Sequence, residues 1–174
     1  MSEGPHKRKL ENIWIYSEIL TQDAYTLGTA HFYRANFWGT VYLIMGATSI
    51  LFSVTAGTSL LYGWQLGERL AGLLALISSI IIAVSTFLKP QKQEQDHSRA
   101  GSRFISLYYR VRVFCEVDII RKSEDANKLP DELHELIKQR DEIDKTSPRI
   151  PQETWRKAVI ASKAHFKKNS IVWK

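Results

Sequence analysis

Two uncharged apolar runs dominate the pattern of hydrophobic and polar positions along the chain. They are Phe37–Ala56, which reads FWGTVYLIMGATSILFSVTA, and Leu70–Leu88, which reads LAGLLALISSIIIAVSTFL. Each is close to the roughly 20 residues with which a helix crosses about 30 Å of hydrocarbon. A charge at the centre of such a helix costs at least about 2.5 kcal/mol, so the pattern predicts a transmembrane helical hairpin. The alternative is a pair of buried helices in a soluble bundle, although such helices usually keep a polar stripe.

Helical periodicity continues on both sides of this hairpin. Apolar residues recur every three or four positions from Lys9 to about Ala35, and again from about Gln91 to Lys122, which predicts two amphipathic helices. Shorter helices are predicted to begin at Pro130 and Pro151. We expect the N-terminal helix to pack on the helix after the second run, because its polar face has fewer basic residues than a membrane-surface helix.

The predicted architecture is therefore an all-α membrane protein, a two-helix transmembrane hairpin with a cytosolic helical bundle. A cytosolic N-terminal helix covers residues 1–36, the hairpin covers 37–88 with spans at about 37–56 and 70–88, and a cytosolic helical region covers 89–174. We also expect disorder over residues 1–8 and a turn at the segment SEDANK. The basic tail, KKNSIVWK, is expected either to fray or to touch lipid headgroups.

Charge asymmetry sets the expected orientation in the membrane. The formal net charge is +6, and Lys or Arg occupies positions 7, 8, 9 and 34 before the first run and 89, 92, 99 and 103 after the second. The connecting turn contributes Arg69, so the positive-inside rule places both termini in the cytoplasm and the turn outside the cell (inner) membrane. The interfaces are expected to hold aromatic residues, Phe32, Tyr33, Phe37, Trp38 and Phe87 on the inner side and Tyr62 and Trp64 on the outer. The start, MSEGPHKRKLEN, lacks an apolar core, so we expect the first run itself to direct insertion.

Small and hydroxyl residues lie on one face of each apolar run. They are Gly46, Ser49, Ser53 and Ala56, with Gly39 further down, in the first, and Ala71, Ala75, Ser79 and Ala83 at strict four-residue spacing in the second. Small residues let helix backbones approach closely in lipid, so we predict a role in helix packing or pore lining. Either the two faces pack on each other within one hairpin, or one lines a pore between subunits. A pore requires a homo-oligomer, because two helices alone cannot enclose water.

The second run ends at Lys89–Pro90. Proline has no backbone donor and crowds the carbonyl four residues earlier, that of Thr86, so we expect a kink or break at the membrane exit. This region is predicted to be the gate of any pore, where a packed cytosolic bundle would hold the span ends together. Lys89 and Lys92 at the cytosolic mouth would favour anions.

Residues with catalytic or ligand-binding chemistry are sparse. The histidines at 6, 31, 97, 134 and 165 are scattered, and none lies at metal-ligand spacing from another His or a Cys. Cys115 lies on an apolar helix stripe, which is typical of a core residue. There is no G-x-S-x-G turn, no glycine-rich phosphate loop, and no clustering of basic and aromatic residues for nucleic acid. We therefore expect neither an enzyme nor a cofactor, a metal site or specific nucleic-acid binding.

Three short motifs accompany this order of elements. AHFYRANFW leads into the first run, TFLKP (Thr86–Pro90) ends the second, and SLYYRVR lies on the following helix. From about Ile13 to Arg121 the chain resembles the SLATT domain, a two-transmembrane effector associated with SMODS nucleotidyltransferases and SLOG nucleotide-sensing domains in bacteria. The resemblance implies a membrane effector of prokaryotic conflict and antiphage systems that oligomerises and forms a pore or disrupts the bilayer. It also implies a nucleotide second-messenger system as partner and carries no catalytic residues.

Two other functions stay open at this point. One is a non-pore membrane anchor or accessory subunit that recruits a cytosolic partner through its helices. The other is a small ion or solute transporter subunit. The transporter is disfavoured because coupling ions usually need intramembrane acids or broken helices, and the two apolar runs contain no charged residue.

Overall fold

A computed structural model of the chain describes residues 5–61, 65–119 and 128–169. Over these ranges the protein is helical, with no strand, which confirms the predicted all-α class. The elements are α1 (Pro5–Leu61), α2 (Gln65–Leu88), α3 (Pro90–Val113), a π-helical turn (Phe114–Asp118), α4 (Leu129–Thr146) and α5 (Gln152–Asn169). The expectations for Tyr62, Trp64, most of the SEDANK segment and the end of the tail concern residues outside these ranges, as do residues 1–4.

Helix α1 runs without interruption from Pro5 to Leu61. The prediction of disorder over residues 1–8 is therefore wrong for residues 5–8, which form its first turns. Proline is favoured in the first turn of a helix, and the Lys and Arg residues that follow Pro5 have good helix propensity. No later proline interrupts α1, and each interior glycine weakens a helix by only about 1 kcal/mol.

The chain leaves the helical conformation at a single residue, Lys89, between α2 and α3. Lys89 has a φ of 46°, in the left-handed region that L residues with a side chain rarely adopt. Its backbone N–H donates to the Ser85 carbonyl at 3.0 Å, and the Gln93 N–H donates to the Lys89 carbonyl at 3.1 Å. Pro90 opens α3 at the position where a missing N–H costs nothing. The predicted break at Pro90 is thus confirmed.

Helix α3 is the first part of the helix predicted over residues 91–122, which is helical throughout its described part, to Ile119. It ends at Val113 and passes into the π-helical turn Phe114–Asp118, in which the Ile119 N–H donates to the Phe114 carbonyl. Residues 120–122 lie outside the described part. The predicted helices after Pro130 and Pro151 are confirmed as α4 and α5.

The chain divides into two compact units. The hairpin unit is Ala35–Gln95, and the bundle unit combines Met1–Arg34 with Asp96–Lys174. Whether the hairpin unit lies in a membrane and the bundle unit in the cytosol stays a prediction.

Four helical segments build the core of the bundle unit. The N-terminal part of α1 packs on α3, as the sequence predicts, and α4 and α5 complete the core. Its buried residues recur at helical spacing: Ile13, Leu20, Ala24 and Leu27 on α1, Phe104, Leu107, Tyr108 and Val111 on α3, and Leu129, Leu133 and Ile143 on α4. Trp155 and Phe166 of α5 pack against them.

Two glycines mark the closest approach of α1 and α3 within the bundle unit. A Cβ added at Gly28 would lie 2.8 Å from Ile105 Cδ1 and 3.3 Å from the Gly101 carbonyl oxygen. A Cβ at Gly101 would lie 3.1 Å from the Phe32 ring and 3.2 Å from the Gly28 carbonyl oxygen. Because the nearest atoms include backbone on both sides, this crossing has no room for larger residues.

Polar contacts attach α4 and α5 to the rest of the bundle unit. The Arg140 Nε of α4 donates to Asp23 Oδ2 of α1 at 2.9 Å, a half-buried ion pair. The Thr26 hydroxyl of α1 lies 2.8 Å from the buried Ser162 hydroxyl of α5. Each of these two helices therefore combines apolar packing with a polar contact to α1.

We predict that Gly28→Val destabilises the bundle unit by about 1–3 kcal/mol, because the added methyls overpack the α1–α3 crossing. The control is Gly46→Val on the same helix, where an added Cβ meets nothing within 4 Å. Thermal unfolding in mild detergent, followed by circular dichroism, compares the two. Equal melting temperatures for both variants and the wild type would contradict the close crossing.

Candidate functional site

The apolar surface of the hairpin unit is the first candidate for function. The helical stretches Lys7–Ser59 and Arg69–Asp118 each contain a segment long and apolar enough to cross a membrane, and little of either segment is buried. Large side chains lie open on this surface: Leu43 is 69% exposed, Ile50 66% and Phe87 85%. The alternative of two buried helices in a soluble bundle is therefore wrong within the chain, since these segments are not covered by protein.

A cluster of three serine hydroxyls joins the two helices of the hairpin unit. The Ser78 hydroxyl of α2 lies 3.1 Å from the Ser49 hydroxyl, 2.8 Å from the Ser53 hydroxyl and 3.1 Å from the Ser49 carbonyl oxygen. Ser78 can donate its single proton to that carbonyl while its oxygen accepts from both α1 hydroxyls. Ser78 is only 2% exposed and Ser49 8%, so these two hydroxyls are internal, whereas Ser53 lies at the exposed edge of the cluster.

The structure places the predicted small-residue positions differently in the two helices. Ser49 and Ser53 make the contact between helices, whereas Gly46 is exposed. On α2 only Ala71 of the predicted row is buried, while Ala75, Ser79 and Ala83 are exposed. For Ala75, Ser79 and Ala83, the alternative of packing against the other helix of the same hairpin is therefore wrong. A four-residue row drifts by about 40° per step around a helix of 3.6 residues per turn, so the inward line runs from Ala71 to Ser78 instead.

One of the exposed faces of α2 is made of small and hydroxyl side chains. It consists of Gly72, Ala75, Ser79, Ala83 and Thr86, all exposed, and we call it the small-residue face. The Ser79 hydroxyl donates to the Ala75 carbonyl and the Thr86 hydroxyl to the Ile82 carbonyl, both at 2.9 Å. Packing against further copies or pore lining by this face stays a prediction.

The predicted gate residues lie at the end of α2. Lys89 and Lys92 are exposed, whereas Pro90 is fully buried. Glu94 is half-buried and its carboxyl group occupies the space beside Gly39, where an added Cβ would be 3.2 Å away. The exposed charges at this end are therefore the two ammonium groups, while the nearby carboxylate faces α1.

A buried histidine pair lies in the bundle unit, where sequence reasoning found only scattered histidines. His31 Nδ1 of α1 lies 3.0 Å from His97 Nδ1 of α3, and the His31 ring stacks on Phe104 with ring centroids 5.6 Å apart. Burial, reinforced by His97, lowers the pKa of His31 from 6.5 to about 4. Burial and the Arg34 charge lower the pKa of His97, and Asp96 opposes this shift.

Metal and thiol chemistry have little structural support. Among the described residues no group of three or more His, Cys, Asp and Glu side chains comes together, and two imidazoles are fewer ligands than a zinc site uses. Cys115 packs against the bundle core. Burial raises the pKa of its thiol, opposed by hydrogen bonds with Thr21 and Ser17, so the thiol stays protonated at neutral pH.

Comparison with known proteins finds no relative of the chain. No protein-family model, no curated protein and no solved structure matches the chain. The resemblance to the SLATT domain therefore rests on the quoted motifs and the order of the elements.

We predict that Ser78→Ala destabilises the hairpin by about 0.5–1.5 kcal/mol, because Ser49 and Ser53 lose their shared partner on α2. Ser79→Ala is the matched control, since the neighbouring hydroxyl bonds only within its own helix. Equilibrium unfolding in mixed micelles measures both variants. A Ser78→Ala protein as stable as Ser79→Ala would mean that the cluster contributes nothing.

Proposed function

We propose that this protein is a membrane effector of a prokaryotic conflict or antiphage system that oligomerises and opens a pore, or disrupts the bilayer, on activation. The observation that carries the proposal is the hairpin unit, whose two long helices expose large apolar side chains along their length. Burial of one such side chain in an apolar medium is worth about 1.5–3 kcal/mol, so the cell membrane is the environment that this surface favours. The SLATT resemblance supplies the biological setting and the link to a nucleotide second-messenger system.

The small-residue face supports assembly into a homo-oligomer. Ala75 and Ser79 present almost no side-chain bulk, so the backbone of a helix from a second copy can approach closely. The hydroxyls of Ser49, Ser53 and Ser78 are already engaged within the chain. On α2 the exposed hydroxyls that can line a pore are those of Ser79 and Thr86, and that of Ser85 is half-buried.

The lysines at the mouth of such a pore favour anions. Within the membrane, the pore does not select ions by charge. Neither apolar run contains a charged residue, so no ring of fixed charge can select an ion there. In an oligomer, the exposed Lys89 and Lys92 of each copy form a cationic ring. We place the gate at Lys89–Pro90, where the chain departs from the helical conformation.

A second candidate function is an accessory subunit that recruits a cytosolic partner. An open groove of about 650 Å³ on the bundle unit favours it. Its lining includes Phe32, Ile105, Tyr109, Val113 and Arg110, an apolar surface with one guanidinium group. This function predicts co-purification of a partner that survives deletion of residues 35–95 and no effect on membrane permeability.

The pore proposal predicts that activated protein releases a small dye from liposomes and that overexpression depolarises cells. Ala75→Leu and Ser79→Leu should weaken assembly about 5- to 150-fold, because overpacking typically costs about 1–3 kcal/mol. These variants should therefore release less dye and run as smaller species in mild detergent.

Val84→Leu is the control for this experiment, because it adds bulk to an exposed position on a different face of α2. It should release dye as the wild type does. Activated wild-type protein at high density that leaves liposomes tight would exclude the pore and favour the accessory subunit. Wild-type activity in both Leu variants would show that the small-residue face faces lipid.

The proposed topology predicts the labelling of engineered cysteines in intact cells. In a Cys115→Ala background, a membrane-impermeant maleimide should modify Thr58→Cys in the exposed end of α1 but not Lys168→Cys in α5. After permeabilisation both should react. Labelling of position 168 but not position 58 in intact cells would reverse the orientation.

A further inference from the structure

The His31–His97 pair is a direct contact between α1 and α3 that is closed to solvent. His31 is 1% exposed and His97 2%, and their Nδ1 atoms lie 3.0 Å apart. Phe104 stacks against His31 from α3. At this distance one ring must donate an Nδ1–H and the other must accept through its Nδ1 lone pair.

The proton count of the pair decides whether this contact can persist. A first added proton goes to Nε2 of the donating ring, which keeps the hydrogen bond but places one charge in the core of the bundle unit. A second proton can go only to the accepting Nδ1. Two N–H groups and two like charges then face each other, and the rings must separate.

We propose that His31 and His97 form a proton-operated latch between α1 and α3, closed while the pair is neutral and released when acidification protonates both rings. The charged groups that act on His97 are Arg34 of α1, which opposes its protonation, and Asp96 of α3, which favours it. His31 is influenced by His97 itself. The latch therefore depends mainly on the burial of the two rings and on their mutual contact.

The direction of the pH response follows from these shifts. Both folded-state pKa values lie below that of an exposed histidine, 6.5, so the unfolded state binds protons more readily. The stability is full above about pH 6.5 and falls as the pH decreases toward about 4, the pKa of His31. His31 lowers the folding equilibrium constant by up to about tenfold per pH unit in this window, and His97 acts in the same direction.

The latch has a consequence for activation that rests on the proposed function. His31 shortly precedes the first apolar run and His97 shortly follows the second, on helices α1 and α3. Release of the pair loosens the contact between the helical stretches that adjoin the two runs. Acidification should then lower the amount of activating signal needed to open the pore.

The test measures unfolding of the full chain in detergent with EDTA between pH 7.5 and 4.5. The wild type should lose stability more steeply than His31→Gln, His97→Gln and the double variant, which lack one or both buried imidazoles. His134→Gln is the matched control, because His134 is exposed, and it should follow the wild type. Equal pH dependence in the wild type and the double variant overturns the latch.

A second measurement uses the wild-type histidines, so that it does not depend on the folding of those variants. Spin labels at the exposed positions Tyr33 and Ser102, in a Cys115→Ala background, report the distance between α1 and α3. The distance should increase as the pH falls from 7.5 to about 3.5, below the pKa of His31 at about 4. An unchanged distance while nitrogen NMR shows both rings protonated overturns the proposal. Both measurements are independent of dye release, so a pH response without pore activity supports the latch and contradicts the pore instead.

Discussion

Hydrocarbon offers no partner to a backbone amide or carbonyl, and this constraint underlies the organisation of the hairpin unit in the proposed membrane setting. Each helix there must satisfy its own backbone, so the chain has no proline between Pro5 and Pro90. The hydroxyls obey the same rule. Thr55, Ser79 and Thr86 donate to carbonyls four residues earlier, and Ser78 joins its partners on α1.

The bundle unit meets a related constraint with different residues. The close crossing at Gly28 and Gly101 leaves no room for larger residues between α1 and α3, and polar side chains buried in the bundle unit need partners within the protein. The Thr26 hydroxyl of α1 bonds to Ser162 of α5, and His31 of α1 bonds to His97 of α3. Among the described side chains no buried nitrogen or oxygen lacks a hydrogen-bond partner. In the bundle unit, close packing of the helices thus goes together with hydrogen bonds between the buried polar side chains.

Sequence patterns predicted what is local and missed what depends on helix rotation or long-range pairing. Apolar length and composition identified both candidate spans, and the chemistry of proline located the break after Lys89. Of the two alternatives for the four-residue row, packing within one hairpin fails beyond Ala71, because a regular spacing in sequence is not a straight line on a helix. The sequence shows only scattered histidines, because the partner of His31 is 66 positions away in the chain and only the fold brings the rings together.

The π-helical turn at Phe114–Asp118 gives the core of the bundle unit a tolerance to changes in chain length. Phe114 and Ile119 are five positions apart and both buried, and the Ile119 N–H donates to the Phe114 carbonyl, one residue further along than in an α-helix. The π-helical turn contains one residue more than an α-helical turn. Over evolutionary time, a one-residue deletion here would convert the turn to α-helix and leave both apolar side chains inward. The same deletion elsewhere in α3 would rotate every following side chain by about 100°.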